Sequence, residues 1–291
     1  MKTASRWLVV VVAALVAVLA VSACGKSKKK SAAAGNTLSV TITESGKTAK
    51  YAMPATIKGG LTTLRVTNNG KAPHQAQLAK IDGHTPQELF KIVAANNPKI
   101  PDWLRAEGGI GPTPPGKTDE ASLNLDPGNY IVFDPPSGPG SGSGPPGYLK
   151  FTVTAGSSGS LPSTPSTVTA NEVGKDKYRW DLSGAALKPG AQNVTFVSKG
   201  KTALHLLGAF RVTGHPSKAE LLKGLASNGP PPKFVDPSSF TTSAVIDGGK
   251  SQTLQFALKS PGTWVLFCPI SDRDGGKPHF KEGLLKQITV K

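Results

Sequence analysis

Apolar and polar residues alternate with a period of two along much of this chain. "TLSVTIT" (37–43), "LTTLRVTN" (61–68), "ASLNLDPGNYIVF" (121–133) and "LKFTV" (149–153) carry the pattern in the first half. "QNVTFVS" (192–198), "SQTLQFAL" (251–258), "GTWVLFC" (262–268) and "LLKQITV" (284–290) carry it in the second. Such alternation predicts half-buried strands. One short helix interrupts each half. Thr85-Pro86-Gln87-Glu88 is a capping box with proline at the first helical position, and Ser217-Lys218-Ala219-Glu220 repeats the box. The expected fold is all-β: two tandem antiparallel sandwiches of seven or eight strands, each with a helical excursion.

The halves also match each other in sequence. "PGNYIVFDPP" (127–136) aligns with "PGTWVLFCPI" (261–270), so Asp134 stands where Cys268 stands. "NNGKAPHQAQLAKIDGHTPQELF" (68–90) aligns with "SKGKTALHLLGAFRVTGHPSKAELL" (198–222), placing His74 near His205 and His84 near His215. "GYLKFTV" (147–153) matches "GLLKQITV" (283–290) with one residue of offset. Between the halves, "AGSSGSLPSTPS" (155–166) has no apolar period and reads as a linker. The expected domains are therefore 37–154 and 167–291.

The first residues do not belong to this pattern. Lys2 and Arg6 precede an unbroken apolar run from Leu8 to Val21, which reads as a secretory signal covering 1–23. The run closes as Val21-Ser22-Ala23-Cys24, which resembles a bacterial lipobox, where cleavage precedes a cysteine that carries diacylglycerol. Residues 24–36, with Lys26 and Lys28 to Lys30, then form a lipidated, basic, flexible tether at a membrane surface. The expected location is the outer face of the cell membrane.

Removing 1–23 leaves 32 of the 34 basic residues against all 18 acidic ones, a formal charge of +14. The chain has no arginine-rich runs interleaved with aromatics. With an extracytoplasmic address, the charge points to an anionic envelope or an acidic partner and away from nucleic acid. With Cys24 given to lipid, Cys268 has no partner for a disulfide within the chain.

A glycine-rich turn leading to His205, the strand "PGTWVLFCP", and His279-x-x-x-Gly283 before a last strand together resemble the cupredoxin family of blue-copper proteins. The likeness spans both halves and is strongest over 198–291. The resemblance implies a mononuclear copper site built from His205, Cys268 and His279, since one thiolate and two imidazoles select a soft metal over magnesium or calcium. It also places Leu284 at the axial position, where no ligand is possible; Glu282, two residues earlier, is a candidate oxygen donor. Ten residues separate Cys268 from His279, more than the family's loop holds, so the turn "SDRDGGKP" must fold back. Zinc fits less well, because a structural zinc site wants four ligands.

In the first half Asp134 replaces the thiol, and His74 is expected to be a hydrogen-bonding loop residue rather than a ligand. His84 and His215 precede helix caps and are expected to serve turns. The expected function is a membrane-anchored copper protein for electron transfer or copper handling, with a possible redox or envelope partner. The alternative is a metal-free binding or structural lipoprotein on the same scaffold. An enzyme is not expected, because no His-x-His pair of the kind a trinuclear copper cluster needs occurs among the five histidines.

Overall fold

The computed structural model describes residues 35–46, 48–95, 99–135, 147–200, 203–227 and 229–291. The signal segment, Cys24 and nearly all of the tether lie outside them. The first half contains β1 (Asn36–Ser45), β2 (Thr48–Ala52), β3 (Thr56–Lys58), β4 (Gly60–Asn68), β5 (His74–Lys80), α1 (Pro86–Val93), β6 (Arg105–Thr113), β7 (Thr118–Leu125), β8 (Gly128–Phe133) and β9 (Tyr148–Thr154). The second contains β10 (Ser166–Gly174), β11 (Lys177–Gly184), β12 (Gly190–Lys199), β13 (Gly208–Val212), α2 (Lys218–Leu225), β14 (Val235–Thr242), β15 (Ser251–Leu258), β16 (Gly262–Phe267), a 3-10 turn (His279–Lys281) and β17 (Leu285–Val290).

The architecture is all-β. An eight-stranded sheet in the order β11-β10-β12-β15-β7-β4-β1-β2 is faced by a five-stranded sheet, β3-β9-β8-β5-β6, and a four-stranded one, β14-β13-β16-β17. Most ladders are antiparallel, but β1/β4, β10/β12 and β3/β9 run parallel. Period-two burial does the packing work. In β1, Leu38, Val40 and Ile42 face the core while Thr37 and Ser39 face water. Each such fully buried aliphatic side chain contributes roughly 1.5–3 kcal/mol.

β8 and β16 are buried on both faces, which explains their unbroken apolar runs. Tyr130 and Val132 point into the central core, while Ile131 and Phe133 point into a smaller core beneath α1. Likewise Trp264 and Leu266 enter the central core, and Val265 and Phe267 the cluster beneath α2. Both helices begin at the capping boxes legible in the sequence, with both arms of each box formed.

The halves join through β15 and β7, where Gln252, Thr253 and Leu254 pair with Leu123, Ser122 and Ala121. Residues 155–165 lie along this sheet. The Leu61 amide donates to Ser157 O at 3.3 Å, and Gly159 exchanges two hydrogen bonds with the Asn124 side chain. Gly60 permits this close approach: its φ is +89°, and a Cβ there would fall 2.0 Å from Ser157 O. No helix among the described residues is long and apolar enough to cross a membrane.

Candidate metal centre

Three separate segments bring His205, Cys268 and His279 to one rim of the second half. His205 lies between β12 and β13, clamped by two backbone hydrogen bonds of 2.9 Å with Ile246. Cys268 directly follows β16; its amide donates to Leu284 O at 3.1 Å and its carbonyl accepts from Phe280 N at 2.9 Å. His279 opens the 3-10 turn, its amide held by Ile270 O at 2.9 Å. The long loop does fold back: Gly275 N closes a turn onto Asp272 O at 2.9 Å.

The three side chains are buried, and one ligand atom from each lies within 4.8 Å of the others. His205 Nδ1 and His279 Nδ1 are 3.2 Å apart, and Cys268 Sγ lies 3.5 Å from His279 Nδ1. Bonds from a zinc-sized ion to imidazole nitrogen and thiolate sulfur run about 2.0–2.3 Å, so donors sharing one ion sit roughly 3–4 Å apart. The separations fit that requirement. One sulfur and two nitrogens form a donor set that suits copper.

Burial governs the protonation of these groups. It lowers His205 to about 3, with His279 adding to the effect, and it lowers His279 despite the opposing pull of Asp272. Both rings are therefore neutral at pH 7, with a lone pair available. Burial pushes the Cys268 thiol up to about 12, although hydrogen bonds from the Leu206 and Ile270 amides oppose it. The thiol keeps its proton until a cation displaces it.

A carboxylate orients His279. Asp272 Oδ1 lies 3.1 Å from His279 Nε2, so Nε2 carries the proton and Nδ1 turns its lone pair toward Cys268 and His205. The same oxygen accepts from Tyr178 Oη at 2.6 Å, and the Tyr178 ring packs against both imidazoles. Gly283 lets the strand carrying Tyr178 approach: its φ is +126°, and a Cβ would fall 1.9 Å from Tyr178 O. Sequence reading missed Asp272 and Tyr178 as supports of this site. Both became visible only when β11 and the loop were placed together.

Leu284 is fully buried and backbone-bonded to Cys268. Glu282 groups with Asp272 and His279, on a half-exposed flank of the centre. His205 Nε2 has no hydrogen-bond partner among the described residues, so this ring is held by its backbone and by the Tyr178 and His279 rings.

The next residue of the loop reaches out of the second half. Arg273 is buried, and its guanidinium donates to Pro101 O at 3.0 Å, to Leu104 O at 3.1 Å and to both oxygens of Asp247 at 2.6 Å. Asp247 is also reached by the Ala106 amide at 2.9 Å and by Arg105 Nε at 3.2 Å. The loop from Cys268 to His279 is thereby a joint between the halves.

The corresponding place in the first half is built differently. His74 opens β5 rather than lying in a loop, and each of its ring nitrogens faces a carboxylate: Nδ1 lies 2.7 Å from Asp134 Oδ2 and Nε2 lies 2.9 Å from Glu44 Oε1. Burial opposes charging the ring, but Asp134 and Glu44 outweigh it and raise the pKa. His84 stacks on Trp103 at 3.8 Å in the turn before α1, and His215 lies just ahead of α2.

No protein-family model matches the chain, and no curated protein matches it. Solved structures do. A multicopper oxidase is 12% identical, over 88% of this chain and 88% of its own, with a TM-score of 0.24. A copper nitrite reductase from Nitrosomonas europaea is 12% identical, over 88% of this chain and 94% of its own, with a TM-score of 0.25. Auracyanin from Roseiflexus castenholzii is 24% identical, over 43% of this chain and 96% of its own, with a TM-score of 0.29. These are likenesses and no more; the all-β architecture rests on this chain's own strands and sheets. The likenesses correct one expectation. An enzyme was not expected, yet the oxidase and the reductase are enzymes by name and are matched over most of this chain. The missing His-x-His pairs speak to one kind of copper cluster and not to enzymes at large.

Proposed function

We propose that the second half holds a single copper ion between His205 Nδ1, Cys268 Sγ and His279 Nδ1, for electron transfer or copper handling. The observation that supports this best is the convergence of three buried, soft-metal donors at 3.2 and 3.5 Å, with the His279 tautomer fixed by Asp272. Copper bound there supplies a one-electron couple between its two oxidation states. The residues do the rest. Neutral imidazoles donate without first losing a proton, the thiol releases one, and the buried surroundings exclude water from the sulfur.

The same reading places the chain outside the cell membrane, processed after residue 23 and anchored by lipid on Cys24, with 24–36 as tether. Domains 37–154 and 167–291, joined by 155–166, would then face the envelope. The apolar run, the lipobox-like residues and the lysines that follow support this placement. The test is metal analysis of the purified protein. About one copper per chain in wild type and none in Cys268→Ser supports the reading. No copper in either would favour a metal-free binding lipoprotein, for which the ion-paired His74 in the first half is a precedent on the same scaffold.

A further inference from the structure

A cavity of about 390 Å³ lies between the halves, beneath α1 and against the loop that follows Cys268. Its volume falls within the range of small-molecule sites, and sites of this kind favour the seams between packed units. Twelve of its fifteen lining residues are apolar, with Leu89, Val93, Ile100 and Phe133 on the first-half side and Leu204 and Ile270 on the other. Space of this size equals the liquid volume of about a dozen waters. The walls give those waters few partners. The Gln77 amide is already committed to Leu78, Gly108 and both backbone groups of Val245. Ser271 donates to Gly276 O at 3.2 Å.

Asp272 is the one charged lining residue, and its Oδ1 is engaged by Tyr178 and His279. An anion entering the cavity would meet that carboxylate. A cation would lose its water to a wall that offers no second charge.

We propose that this cavity is a binding site for an uncharged, largely apolar small molecule, seated against the loop that carries His279. Occupancy touches Pro269 to Asp272, and Asp272 is hydrogen-bonded to His279, so a bound molecule is also felt at the candidate metal centre. Binding itself is independent of the copper reading. Only this link rests on it.

The test uses the full-length chain without added metal and the neutral probe N-phenyl-1-naphthylamine, whose fluorescence rises in apolar surroundings. Val93→Trp and Ile100→Trp fill the cavity from half-buried positions at its edge, which spares the core. Any background from the lipid end is common to all three proteins. The proposal expects saturable one-to-one binding in wild type, at least tenfold weaker in both variants, and a probe-induced rise in Tm confined to wild type. Binding of equal strength in wild type and both folded variants would overturn it. A shift of the visible copper band on adding probe to copper-loaded protein tests the link, and an unmoved band at saturating probe refutes the link while leaving the site.

Discussion

Asp134 Oδ2 lies 2.7 Å from Nδ1 of His74, at the strand end where the second half keeps the thiol of Cys268. With Glu44 on the other nitrogen, only the doubly protonated ring satisfies both carboxylates. One scaffold position thus holds an ion pair in one half and a buried thiol in the other.

That ion pair has a pH signature. The folded pKa of His74 is raised, so its stabilisation is fully present below the unfolded value of about 6.5 and is lost as pH rises through the folded value. Glu44 is lowered, chiefly by the Ala72 amide and His74, so its share is present above the ordinary carboxylate range and is lost as pH falls through the folded value. The Tm gap between wild type and His74→Gln should therefore be widest near pH 5.5 and narrower at pH 9, by roughly 2–4 °C. A gap independent of pH would contradict the charged ring.

Asp272 should act on the metal through His279. Asp272→Asn keeps the shape but weakens the acceptor, and loss of such a partner costs about 10–100-fold in metal affinity. Competition with a copper chelator measures this directly. An unchanged affinity would show that Asp272 does not orient the ring.

Arg273 should matter to stability more than its place in a loop suggests. Arg273→Ala leaves Asp247 buried with only Arg105 and one amide, and breaking a buried pair costs roughly 3–5 kcal/mol. Denaturant unfolding of Arg273→Ala, Asp247→Asn and the double variant gives the coupling. The double variant should lose less than the sum of the singles. Simple additivity would mean the two residues do not act as a pair.

The lipid anchor is tested by fractionation. Cys24→Ala should release the chain from the membrane and remove the acyl mass. A variant that stays as firmly bound would refute the anchor.

What the sequence revealed depended on whether the signal was local. Capping boxes at Thr85 and Ser217 are contiguous in the chain, and both formed. The alternation of 37–43 or 251–258 records two faces of one strand, and those strands are where it put them. The hairpin of β10 and β11 was missed because its turn is Lys175-Asp176, with Asp176 at φ 53°, rather than a glycine-marked pair. That His205, Cys268 and His279 converge was expected from their order along the chain. The residues around them were not: Tyr178 lies about a hundred residues from His279, and Arg273 meets Leu104 where the two halves are joined by the β7/β15 ladder and by backbone bonds between 106–108 and 245–247. Such partners belong to the packing of sheets, which period and spacing do not encode.

The most direct measurement is a titration of the protein with Cu(II), followed in the visible spectrum. An intense thiolate-to-copper band should grow to saturation at about one copper per chain, vanish in Cys268→Ser, collapse or shift in His205→Ala and His279→Ala, and persist in His74→Ala. Wild-type protein that binds no stoichiometric copper in either oxidation state, or a band that survives Cys268→Ser, would contradict the account.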